Sequence, residues 1–133
     1  MTDPELLLTI LCWVQGIYFL LTGAWPLFSM RTFQAVTGRK TDNWTGRPGD
    51  HWLVKTVGVL IVAISLPLLL AAARGHPTLE VIVLACASSL GLLGIDVIYV
   101  ARRVIAPIYL LDALAELVLL AGWGYGSWLL YNA

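Results

Sequence analysis

Four long apolar runs, Leu6–Phe28, Trp52–Ala73, Leu79–Val100 and Ile108–Tyr131, leave this chain little choice of fold. Each is about as long as the ~20 residues with which an α-helix crosses ~30 Å of hydrocarbon. Lipid offers no partner to backbone N–H and C=O groups, so such segments cross as helices whose hydrogen bonds close within the segment. The expected fold is all-α: an integral membrane, antiparallel four-helix transmembrane bundle. The runs and their links account for nearly all of the 133 residues, which read as a single transmembrane domain over 1–133. Charged residues make up only 12%, against roughly 25% in an ordinary soluble domain. A net charge of zero leaves no basic excess for a nucleic-acid partner; the expected environment is the lipid bilayer.

The first run is expected to remain as a helix. Its flank, Met1-Thr2-Asp3-Pro4-Glu5, is acidic, and the run exceeds the ~7–15 apolar residues of a cleavable signal. Lys and Arg then orient the bundle. Arg31, Arg39, Lys40 and Arg47 lie in the link 29–51, Lys55 just inside the second span, and Arg102 and Arg103 between the third and fourth; only Arg74 lies on the opposite side. The positive-inside rule therefore predicts cytoplasmic links and both termini outside. That places the Asn43-Trp44-Thr45 sequon on the cytoplasmic side, where it reads as a chance match.

Local signals refine the picture. Pro4 suits a first helical turn and Pro26 an ending one. Arg31–Val36 mixes basic and apolar residues as a short interfacial helix does, while Thr37-Gly38 and Thr45–Asp50 carry turn chemistry. Pro67 frees the carbonyl of Ala63, which Ser65 is placed to re-satisfy. The tight turn Arg74-Gly75-His76-Pro77 predicts adjacent second and third spans, and Thr78 is the expected cap of the third, with Glu80 in its first turn. Ala87, Gly91 and Gly94 form a small-residue stripe. Gly122-xxx-Gly126 forms another, expected to serve packing within the bundle or a dimer contact.

The chemistry rests on what interrupts the apolar runs. A charge near the centre of a spanning helix costs ~2.5 kcal/mol or more, and such residues face the bundle interior. Counting ~1.5 Å per residue inward puts Lys55, Asp96 and Asp112 at ~5–7 Å on three helices. Glu116 follows Asp112 by one turn on the same face, and Gln15 reaches a similar depth from the first span. These five define a polar tract running inward from the cytoplasmic face, with Tyr109 and Trp52 at its entrance. Asp96 also reads as an ion-pair partner of Lys55, Arg102 or Arg103, and Asp112 as a partner of Arg103 or of its own helix N-terminus. Glu116 has to be protonated, paired with Gln15 or Lys55, or wetted by a cavity.

Other chemistries find no support. His51 and His76 fall on opposite sides of the membrane, and no Glu-x-x-His, CxxC or HExxH occurs, so no metal ligands and no cofactor are expected. Serines 65, 88 and 89 have no histidine at their depth for a triad. Cys12 and Cys86 share a depth that allows either a disulfide or two small apolar thiols.

Lys55-Thr56-Val57-Gly58 opening the second span, and Arg103-Val104-Ile105-Ala106-Pro107 leading into Asp112-Ala113-Leu114-Ala115-Glu116-Leu117, resemble the layout of small bacterial four-span proteins of the DoxX-like group. The resemblance implies a bacterial plasma membrane and transfers no catalytic residue. The leading functional expectation is a binding protein rather than an enzyme. A small amphipathic or lipid-like molecule would meet Glu116, Asp112 and Gln15 in a mostly apolar site. The alternatives are a proton-linked transporter, for which four spans call for a homodimer, a membrane enzyme using the paired carboxylates, or an accessory subunit of a larger complex.

Overall fold

The computed structural model describes residues 3–37 and 51–132. The Gly38 turn, the Thr45–Asp50 run, the Asn43 sequon and the basic Arg39, Lys40 and Arg47 lie outside the described residues. Among the described residues five helices follow in order: α1 (Asp3–Phe28), α2 (Met30–Thr37), α3 (His51–Arg74), α4 (Leu79–Ala101) and α5 (Tyr109–Tyr131). Four of them, α1, α3, α4 and α5, are long and apolar enough to cross a membrane. The fold is an all-α transmembrane bundle of four helices, and α2 forms a short helix over the expected Arg31–Val36. Four crossings return both termini to the same side.

The boundaries follow local chemistry. Pro26 stands in the last turn of α1, and Ser29 breaks the helix before α2. The Ser29 side chain then accepts from the Thr32 N–H at 3.3 Å, capping α2. Thr78 caps α4 as expected, accepting from the Val81 N–H at 3.4 Å. Gly75 turns the chain at φ 72°, a conformation that only glycine adopts without strain. After α4 the chain closes a Schellman motif: Val104 N–H donates to Tyr99 O at 2.8 Å and Arg103 N–H to Val100 O at 3.0 Å. Arg103 occupies the left-handed position, φ 61°, where glycine usually sits. In α3, Ser65 departs from expectation. Its hydroxyl donates to Val62 O at 2.6 Å, one residue before the carbonyl that Pro67 leaves free.

The four spans pack as two antiparallel pairs, α1 along α3 and α4 along α5, joined where α1 meets α5. The tight Gly75 turn predicts that α3 and α4 pack side by side; instead they touch only slightly. A turn brings helix ends together but does not hold the rest of two helices in register. The α1–α3 crossing explains their preference for one another. At Gly23 and Gly58 the backbones approach so closely that a Cβ on Gly58 would lie 2.5 Å from the Gly23 carbonyl oxygen. Gly122 and Gly126 do the same for α5 on α1, where added Cβ atoms would lie 2.9 Å from Leu11 and 2.8 Å from Leu8. The Gly122/Gly126 pair thus serves packing within the bundle. Gly91 and Gly94 of the α4 stripe face open space in this chain.

The packed core occupies one half of the bundle. Leu8, Cys12 and Phe19 of α1, Leu68, Ala71 and Ala72 of α3, Ile82 and Ala85 of α4, and Leu119 and Trp123 of α5 form one buried cluster. Nearly all of them belong to the end that carries the termini and the Gly75 turn, and Thr9 ties α1 to that turn through Gly75 O at 3.4 Å. Cys12 and Cys86 are free thiols here, so the disulfide alternative is not realised. Large apolar side chains such as Leu21, Leu66 and Val118 cover the exterior, a surface suited to lipid rather than water.

Candidate functional site

The other half of the bundle, at the end carrying α2 and the α4–α5 link, is hollow. A cavity of about 460 Å³ is walled by Tyr18, Thr22, Trp25 and Pro26 of α1, Phe33 and Val36 of α2, Leu53, Val57, Gly58 and Ile61 of α3, Leu92, Ile95 and Asp96 of α4, Ile105 and Ile108 of the link, and Tyr109, Asp112 and Glu116 of α5. Its volume falls within the about 300–1,000 Å³ of small-molecule sites. The arrangement follows from the packing. Joined at the Gly75 turn and otherwise barely in contact, α3 and α4 leave room between their far halves.

Three carboxyl groups enter a largely apolar wall. Glu116 has no exposed surface, and neither of its carboxyl oxygens has a hydrogen-bond partner. Ser89 of α4 stands beside it, close enough for its hydroxyl to interact with the carboxyl but without a well-aligned hydrogen bond. Asp96 is 5% exposed, and its Oδ2 is likewise unpartnered. Asp112, one turn before Glu116 on α5, lies against Asp96 and accepts a hydrogen bond from the Tyr18 hydroxyl of α1. Ionised together, groups so placed would repel one another, more strongly in an apolar surrounding than in water. No Lys, Arg or His lines the cavity among the described residues. No trio of His, Cys, Asp or Glu among those residues is set to hold a metal ion.

The other polar residues of the expected tract are placed elsewhere. Gln15 is fully buried but takes no part in the cavity wall. Its Nε2 donates to Ala85 O at 3.1 Å, and its Oε1 accepts from Trp123 Nε1 at 2.6 Å. That chain crosses α4, α1 and α5 in the packed half. Trp123 stands two turns, ~10 Å, beyond Glu116 on α5, so Gln15 does not pair with Glu116. Lys55 and Trp52 point outward and do not line the cavity; Trp52 is 62% exposed. Tyr109 does line it, together with Asp96, Asp112 and Glu116.

Sequence reasoning credited α1 with Gln15 alone and missed Tyr18 and Thr22, which line the cavity. Gln15, Tyr18 and Thr22 recur at intervals of three and four, one face of a helix, and that spacing was the available signal. It also missed the aromatic pair at the α1–α2 junction. Trp25 and Phe33 meet edge to face with ring centroids 5.6 Å apart, and Trp25 Nε1 donates to Thr32 Oγ1 at 2.9 Å. This pair clamps α2 across the end of the cavity. Comparison with protein-family models, with curated proteins and with solved structures finds no match, so the chain's own chemistry carries the functional reading.

Proposed function

We propose that this chain is a membrane binding protein that holds a small amphipathic molecule in the cavity, polar group against Asp96, Asp112 and Glu116. The observation that carries the reading is Glu116: a carboxyl group with no exposed surface and no hydrogen-bond partner, set in the wall of a largely apolar space. A buried polar group left without partners costs ~1–3 kcal/mol, and more when charged. A ligand that satisfies it offsets that cost. The few convergent polar groups in an apolar wall match what a small-molecule site requires.

A transport path would have to continue through the packed half, which Trp123 and its neighbours fill. Binding is therefore the reading favoured over proton-linked transport. Among the described residues, Arg31, Lys55, Arg102 and Arg103 stand at the cavity end and Arg74 at the other. That distribution supports a cytoplasmic cavity end with both termini outside, and the DoxX-like layout supports a bacterial plasma membrane.

Native mass spectrometry of the protein released from a mild detergent tests the binding reading. A bound mass is expected on the wild type and lost in Glu116→Gln. Bare protein in both samples, after extraction straight from the producing membrane, rejects it.

A further inference from the structure

We infer that the cavity selects a lipophilic organic cation, a molecule with an ammonium-like head on a compact apolar body. The inference rests on the binding reading above and names its ligand class. Three carboxyl groups share this wall, and none of the described residues lining it carries a positive charge. Glu116 and Asp96 are buried and keep unpartnered oxygens turned into the protein interior. In a low-dielectric setting an opposite charge among these groups favours their ionised form and supplies the partner they lack. An anionic head would be repelled by any carboxyl that ionises. A neutral head would supply hydrogen bonds but gain no ionic attraction from the carboxyls.

Two further features separate an organic cation from an inorganic one. The carboxyl groups do not form a metal-holding cluster, whereas a diffuse cation needs no fixed coordination geometry. Tyr18, Trp25, Phe33 and Tyr109 also contribute to the wall, and aromatic faces attract cations, more strongly where the site is dry. The remaining surface is mostly aliphatic and suits an apolar body. Because α3 and α4 are in contact only slightly, such a molecule has a route into the cavity from the bilayer, between the early turns of α3 and the late turns of α4.

The test uses the full chain in zwitterionic nanodiscs with three probes of similar bulk: tetraphenylphosphonium, tetraphenylborate and the neutral triphenylphosphine oxide. Equilibrium dialysis against empty nanodiscs reads the saturable part of each. The expected result is saturable binding of the phosphonium alone, weakened at least tenfold in Glu116→Gln and several-fold in Asp96→Asn. Size-exclusion profiles identical to wild type establish that both variants are folded. Saturable binding of the borate, or phosphonium binding unchanged in both variants, overturns the inference. If the neutral probe binds as tightly as the cation, the charge selectivity is wrong while the amphipathic-binding reading stands. If no probe saturates, the inference falls, and the mass-spectrometric experiment decides separately whether the site binds anything.

Discussion

The two halves of this bundle are built from the same four helices and put them to different uses. Toward the termini, Leu8, Cys12, Leu68, Ala85 and Trp123 close the interior, and the buried carboxamide of Gln15 has both of its ends engaged. Toward α2, the interior is a cavity of about 460 Å³ with buried carboxyl oxygens left unpartnered. The first half holds the fold together; the second is held open by it. The comparison teaches where to look for function in a small membrane protein, since polar groups occur in both halves and only their partners distinguish them.

The sharpest way to break the comparison is to hollow out the packed half. Trp123→Ala removes the largest fully buried side chain and strands Gln15 Oε1. Aromatic-to-alanine changes in a core cost about 3–5 kcal/mol, so a loss at the top of that range is expected in denaturant-titrated unfolding in micelles. A loss under ~1 kcal/mol, small for any core truncation, would mean that the terminal half is not the stabilising one. Gly58→Ala comes next. Its new methyl would meet the Gly23 carbonyl oxygen at 2.5 Å, and backbone yields less readily than a side chain. Overpacking typically costs about 1–3 kcal/mol, and the same unfolding titration reads it. An unchanged midpoint would show that α1 and α3 can separate freely at this crossing.

How much of this was legible beforehand follows from what lipid does to a sequence. The four spans, the Thr78 cap and the short α2 helix could all be read, because length, hydropathy and capping chemistry act within one segment. The carboxyls of Asp112 and Glu116 could be placed together because they share a helix face. Relations between helices were harder. In a soluble bundle a polar stripe marks the outer face, but here the outer face is as apolar as the inner one, so rotation leaves little trace. Lys55 was assigned to the interior for that reason and instead lies outside. Gln15 was placed level with Glu116 by counting from helix ends. The count assumed equal stagger, and packing put Gln15 beside Trp123 and Ala85 instead.

Gln15 therefore offers a finer comparison with Glu116. Gln15→Leu keeps the volume roughly constant and leaves the Trp123 indole N–H without its acceptor. Hydrogen bonds between membrane helices are worth ~0.6 kcal/mol on average and reach ~1.7. A loss of about 1–2 kcal/mol is expected, because one substitution orphans a donor and takes a donor from Ala85 O. Thermal unfolding in the same micelles measures it, and an increase in stability would mean that the packed half tolerates loss of its polar layer.

The smallest effect on stability is expected at Glu116, and that smallness is the point. Glu116→Gln keeps the shape and exchanges one buried polar group without a described hydrogen-bond partner for another. If the carboxyl serves a ligand rather than the fold, ligand-free protein should change by less than ~0.5 kcal/mol, the range usual for substitutions that break no structural feature. The direction should be close to neutral, since the substitution removes no hydrogen bond on which the fold depends. The result to set against this is a loss of ~2 kcal/mol or more, as follows when a buried hydrogen-bonded group is removed. Ser89 would then be the partner to examine, and a Ser89→Ala variant showing the same loss, non-additive with the first, would make the pair a structural bond. Under that outcome the two halves would no longer differ in kind: the carboxyl would hold α4 to α5 as Gln15 ties α1 to both.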